Sequence, residues 1–234
     1  MQLQWAFEKQ NNSGRAVSRS GDGDFVSTGI QDLDLLLAGG VPRGKLIEIS
    51  GLASSGKTSL LFSILARASR REELVAYIDT FDSLDPAFAV KAGINLEKLL
   101  WIRSRSSIEK ALKAADIVAR SGGFGVLALN LEPVLAGSRG ASTLKKIALS
   151  SWFRLQRAVE GTPTLILVLT REPLTGSAAS LAFSLQSHEK EWRRRSADQA
   201  PFQGKQAYYL DGLKSEVRLL RGKSHGRITL HSHL

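Results

Sequence analysis

"KLIEISGLASSGKTSLLFSILARASRR", Lys45 to Arg71, holds three elements in a row. "KLIEIS" is apolar and short enough for a buried strand, and "KTSLLFSILARASRR" continues as a helix. Between them "GLASSGKT", Gly51 to Thr58, fits G-x-x-x-x-G-K-[ST], the loop that cradles phosphates. Alone, such a Gly/Ser-rich match is only a turn; a strand before it and a helix after it supply the context the motif needs. Gly51 and Gly56 let the backbone approach phosphate, and the N–H groups around Ser54, Ser55 and Ser59 make the anion nest. Lys57 is expected to reach the β- and γ-phosphates, and Thr58 to ligate Mg²⁺ through its hydroxyl. ATP with Mg²⁺ is therefore the expected cofactor.

Upstream, "STGIQDLDLLLAGGVPRG" (27–44) reads as a loop, an amphipathic helix with Ile30, Leu33 and Leu37 on one face, and a stop at Gly39-Gly40. Downstream, apolar strands at 74–80, 99–104, 124–131 and 164–170 alternate with helices. Those helices cover "DPAFAVKAGI", "SIEKALKAADIVARSGG" capped by Ser107, and "LKKIALSSWFRLQRAVEG". Near-continuous apolar strands between helices predict an α/β fold, a largely parallel twisted sheet covered on both faces. The last third changes character. "KQAYYLDG", "SEVRLLRG" and "GRITLHSHL" predict short antiparallel strands joined by Gly-containing turns, an edge covering about 205–231. Residues 1–26 are rich in Gln, Asn, Ser and Gly and read as a flexible lead-in with a short helix around Trp5–Lys9, ahead of a single domain over 27–234.

The 234 residues suffice for one sizeable domain. There is no run of 18 apolar residues, so no membrane span is expected, and the polar N-terminus does not read as a secretory signal. Cysteine is absent, which removes disulfides and thiolate metal sites and suits a cytoplasmic location. Charge is one-sided: residues 1–138 carry 16 Lys/Arg against 15 Asp/Glu, and residues 139–234 carry 16 against 7. A basic half implies an acidic partner, with nucleic acid the first candidate and a merely solvated surface the alternative.

A phosphate loop that hydrolyses ATP needs a carboxylate on a neighbouring strand for the Mg²⁺ shell, and a group that activates water. Where that carboxylate belongs, at the end of "FGVLALNL", stands Asn130, with Glu132 two residues on. Asp79, ending "AYIDT", either orients a metal-bound water or satisfies its own loop. Asp82 and Asp85 read as turn and helix-cap residues.

The run from Ser27 to Thr58, followed by "AYIDTFDSLDP" and "AVKAGINLEKLLWIRS", resembles the core of RecA-type recombinases, over roughly residues 27–176. Within that superfamily, "LLWIRSRSSIEKALKAADIVARSGGFGVLAL", "WFRLQRAVEGTPTLILVL" and "GLKSEVRLLRGKSHGRITL" are similar to the shorter ImuA group, which bacteria encode with damage-induced, error-prone DNA synthesis cassettes. The resemblance implies a RecA-like fold, a nucleotide site and a role in damage tolerance. It also implies contact with DNA, mainly single-stranded, and with a DNA polymerase or RecA-type partner. Self-association and association with the nucleoid belong to the same expectation.

Three positions depart from the recombinase pattern. Phe81 stands where a water-activating Glu is expected, with Asp82 one place out of register. Asn130 replaces the Walker-type Asp, and Thr170-Arg171 replaces an Asn-Gln pair that senses the γ-phosphate. Losing a general base alone costs about 10²–10⁴-fold, so efficient turnover is not expected. Should turnover survive, Asp79, Asp82 or Glu132 must have taken over the lost roles, as in an active DNA-dependent ATPase; a regulatory ATPase unrelated to DNA is the third reading.

Arg171 is a candidate for phosphate or DNA. Trp192 beside Arg193, Arg194 and Arg195 suits base stacking with phosphate contacts, or a solvated basic run anchored by one aromatic. Trp101, Trp152 and Phe153 read as core, and His225, His231 and His233 as surface residues without a metal role.

Overall fold

A computed structural model describes residues 5–6, 24–132, 144, 146–194, 208–222 and 227–233. Its centre is a nine-stranded sheet. Five strands follow the predicted alternation: β4 (Leu46–Gly51), β5 (Leu74–Asp79), β6 (Leu99–Arg103), β7 (Phe124–Asn130) and β8 (Leu165–Thr170). With β9 (Leu181–Arg194) they form a parallel block in the order β9-β4-β8-β7-β5-β6. Beyond β9 the sheet turns antiparallel through β10 (Tyr208–Arg221), β11 (Arg227–His233) and the two-residue β1 (Trp5–Ala6). A separate ribbon pairs β2 (Phe25–Val26) with β3 (Val41–Pro42).

Each central strand is apolar on both faces because both faces are covered. Successive residues point to opposite sides of a strand, so one strand feeds two cores. From β5, Val75 and Tyr77 enter one core, and Ala76 and Ile78 the other. The first core is closed by α2 (Lys57–Arg70), which contributes Leu60, Leu61, Ile64 and Leu65. The second is closed by α4 (Ile108–Ser121), through Ala111 and Ala115, and by α5 (Leu149–Val159), through Trp152 and Leu155. The short α1 (Gln31–Leu36) is held by Asp34, which accepts from Thr28 N (2.7 Å), Thr28 Oγ1 (2.7 Å) and Ser27 Oγ (2.6 Å). Helix α3 (Pro86–Lys91) starts on Asp85 and α4 on Ser107, each side chain accepting backbone N–H groups of the first turn as the sequence predicts.

The last third departs most from the expectation. "KQAYYLDG" and "SEVRLLRG" contribute to one 14-residue strand, β10, rather than to two short ones. Gly212, expected in a turn, lies where the β9–β10 register shifts. The basic run around Trp192 belongs to the equally long β9, which the sequence does not announce. Two smaller differences have simple causes. Helix α5 begins at Leu149, and Phe153 is 36% exposed while Trp152 beside it is fully buried, because neighbours on a helix face different ways. Trp5–Ala6 is strand rather than helix, drawn into pairing with Ser232 and His231. Most of the expected lead-in, together with Arg195 and His225, lies outside the described residues.

Candidate phosphate-binding site

The loop 51–56 leaves the carboxyl end of β4 and enters α2. Gly51 cannot carry a side chain there: a Cβ would sit 2.5 Å from the Leu185 carbonyl oxygen of β9 and 2.6 Å from Ser55 Oγ. Ser54 (φ +59°) and Gly56 (φ +86°) adopt the left-handed conformation that turns the chain into the helix. Gly56 caps α2 without a side-chain hydrogen bond, so the first N–H groups of this 14-residue helix lack intrahelical partners and the positive end of its dipole is open. Ser55 Oγ is buried with no hydrogen-bond partner. Thr58 is exposed on the first turn and Ser59 half-buried behind it. An open helix N-terminus and an orphaned hydroxyl beside it fit a bound phosphate chain.

Lys57 is 2% exposed and its ammonium makes three contacts: Gly51 O (2.5 Å), Leu52 O (2.9 Å) and Glu132 Oε2 (2.7 Å). An ammonium has three donors, so these acceptors saturate it. Burial pushes the Lys57 pKa below the usual lysine range; Glu132 opposes that shift and the nearby Arg171 charge adds to it. The predicted loop residues are thus in one place, and Glu132 and Arg171 join them.

The other acids are engaged elsewhere. Asp79 is fully buried: Oδ1 accepts from Ser83 N (3.0 Å) and Ser83 Oγ (3.1 Å), and Oδ2 from Leu84 N (2.9 Å) and Trp101 Nε1 (3.3 Å). It satisfies the 80–84 loop. Asp82 is exposed and forms a bidentate pair with Arg103, whose guanidinium lies 5.3 Å from the Trp101 ring centre and holds the Asp82 pKa below the usual carboxylate range. Trp101, expected in the core, is only half-buried there. Asn130 donates to Tyr77 Oη (3.0 Å) and Ser83 Oγ (2.7 Å) and accepts from Glu132 N (3.0 Å). Burial first, then the Asp79 charge, drives the Tyr77 pKa far up, so the phenol stays protonated.

For Mg²⁺ the donor set is thin. Thr58 offers a hydroxyl, Asn130 is spent on neutral partners, and Glu132 is bound to Lys57. Among the described residues no cluster of three His, Cys, Asp or Glu could hold a metal. A metal here would rest on Thr58 and on the phosphates themselves.

Sequence reasoning missed Glu48. It is 2% exposed in the middle of β4, and its carboxylate accepts from Thr170 Oγ1 (3.2 Å), Leu174 N (2.6 Å) and Thr175 Oγ1 (2.6 Å). It ties the loop carrying Arg171 to the strand that carries the phosphate loop. The signal was present, since a lone acid inside "KLIEIS" must be paired if buried. Trp192, Arg193 and Arg194 sit far from this site, opposite Leu210, Tyr209 and Tyr208 on the distal half of the β9–β10 hairpin. Gly51 pairs with Leu185, seven residues before Trp192 and roughly 24 Å along the strand.

Comparison with known proteins bears on the first half of the chain. The family described as the RecA N-terminal domain matches residues 7–137. The chain is 40% identical over 130 residues to Protein RecA of Methylococcus capsulatus, covering 53% of this chain and 37% of that protein. It is 44% identical over 108 residues to Protein RecA of Paramagnetospirillum magneticum, covering 46% and 30%. With Protein RecA of Rickettsia bellii it shares 43% over 110 residues, covering 47% and 32%. The match thus spans about a third of the length of these curated relatives.

Proposed function

The chain belongs to the RecA N-terminal domain family, and from that premise we propose that it is an ATP-binding accessory protein of bacterial DNA repair with weak or absent hydrolysis. One observation carries this reading. A complete phosphate loop stands beside hydrolytic positions that offer no free base or metal carboxylate: Phe81 has no group that can accept a proton, Asp82 is held by Arg103, and Asn130 is held by Tyr77 and Ser83. Nucleotide is then a bound element of the protein, held by Lys57, Thr58 and the loop amides, with Mg²⁺ carried in on the phosphates. ATP supplies charge and shape to the site.

The resemblance to the ImuA group supports the finer placement, a part in damage-induced translesion synthesis alongside a polymerase or a RecA-type protein. The basic half supports DNA as a partner, through Trp192, Arg193 and Arg194 on β9 and Arg195 next to them in sequence, with Arg171 as a further contact. Absence of a helix long and apolar enough to cross a membrane among the described residues accords with a cytoplasmic site of action.

Steady-state ATPase activity with and without single-stranded DNA tests the reading. Turnover far below about 1 s⁻¹ in both conditions is expected. Turnover of that order or faster, abolished by Lys57→Ala, overturns it and favours the active-ATPase alternative, for which Glu132 at 2.7 Å from Lys57 is the candidate carboxylate.

A further inference from the structure

Glu132 makes a contact that neither a catalytic base nor a metal ligand requires. Its Oε2 lies 2.7 Å from Lys57 Nζ, with the Lys57 side chain 3% and the Glu132 side chain 18% exposed. The pair is held from both ends. Gly51 O and Leu52 O fix the ammonium, and Asn130 Oδ1 accepts the Glu132 N–H at 3.0 Å, fixing the backbone that carries the carboxylate.

Because the ammonium is saturated, a phosphate oxygen gains Lys57 only by displacing an acceptor or sharing it. The two carbonyls belong to the loop backbone and stay. Glu132 is a side chain reaching in from the end of β7, and it is the acceptor free to leave. Whether it leaves or stays, its negative charge remains within several ångströms of the phosphates Lys57 serves, where water is scarce. Like charges at such distances cost more than surface pairs do. The penalty grows with the charge of the phosphate chain, and so falls hardest on the terminal phosphate of a triphosphate.

Resting on the nucleotide reading above, we infer that Glu132 sets phosphate-chain specificity: it is an intrachain counter-ion of Lys57 that works against the terminal phosphate and so against any preference for a triphosphate over a diphosphate. The two neutral neighbours, Asn130 and Phe81, leave that penalty uncompensated by any metal-binding carboxylate.

Isothermal titration of the full chain with ATP and with ADP, each with Mg²⁺ and with EDTA, tests this. The unaltered protein is expected to bind ATP no more than about threefold tighter than ADP; a tenfold or greater preference for ATP overturns the inference without any mutant. Glu132→Gln keeps the side-chain shape and removes the charge, and is expected to tighten ATP by about tenfold and ADP by clearly less, in both Mg²⁺ and EDTA. Weaker ATP binding in Mg²⁺ with no change in EDTA identifies Glu132 as a metal ligand and overturns the inference. So does an equal effect on both nucleotides. Glu132→Ala, checked by thermal melting, serves if the Gln variant does not fold. Lys57→Ala separates the two claims: nucleotide binding that ignores Lys57 removes the nucleotide site itself, whereas loss of binding in Lys57→Ala with no gain in Glu132→Gln removes only the role of Glu132.

Discussion

Asn130 spends both amide hydrogens, on Tyr77 and Ser83, and its Oδ1 accepts from Glu132 N. Ser83 in turn gives its single hydroxyl hydrogen to Asp79. A carboxylate at 130 would therefore meet the Ser83 oxygen with no hydrogen between them, close to a second buried acid. Asn130→Asp is expected to lose about 1–3 kcal/mol in urea unfolding and to gain no ATPase activity, although it restores the Walker-type residue. Recovery of turnover would show that the network is not what holds hydrolysis back. Glu48 is the other decisive side chain. Glu48→Ala leaves three or more buried donors without an acceptor and is expected to cost at least about 3 kcal/mol, with the Arg171 loop released; proteolysis near 171–175 reads that release. Much of this site was legible in the sequence. The loop residues Gly51–Ser59 carry their own signature, and the departures at Phe81, Asn130 and Arg171 were visible as single letters. What no sequence spacing reveals is pairing: that Asp82 is taken by Arg103, Asp79 by Ser83 and Leu84, and Lys57 by Glu132.

Among elements, the helices with local signals came out where their residues placed them. Ser107 caps α4 by accepting Lys110 N, and Ser107→Ala is expected to lower stability by about 1 kcal/mol, measured by denaturant unfolding. β9 illustrates the opposite case. Its first five residues are drawn into the sheet by β4, while among the described residues Gln186–Arg194 pair with β10 and not with β4. In that distal stretch "HEKEW" has no apolar alternation, so its strand character comes from a partner some 20 residues away and not from its own pattern. Register shifts along the hairpin, one of them at Gly212, blur the period further. The same hairpin limits the phosphate loop. Because the Leu185 carbonyl abuts Gly51, Gly51→Ala must push β9 off β4 or distort the loop, and it is expected to abolish nucleotide binding with a loss of thermal stability.

At the scale of the molecule, a nearly neutral half that carries the phosphate loop adjoins a basic half whose long antiparallel strands project past the central sheet. If that half meets DNA through phosphates, affinity falls by tenfold or more between about 50 and 200 mM salt. Neutralising Arg193, Arg194 and Arg195 together should flatten that dependence; salt-insensitive binding would remove the phosphate contacts. The central claim, that the loop holds nucleotide without consuming it, is tested most directly by a single turnover. Labelled ATP is mixed with an excess of the protein, Mg²⁺ and single-stranded DNA, and the bound label is analysed over time. Label recovered as ATP after many minutes is the predicted result. Conversion to ADP at about 1 s⁻¹, lost in Lys57→Ala, would contradict it.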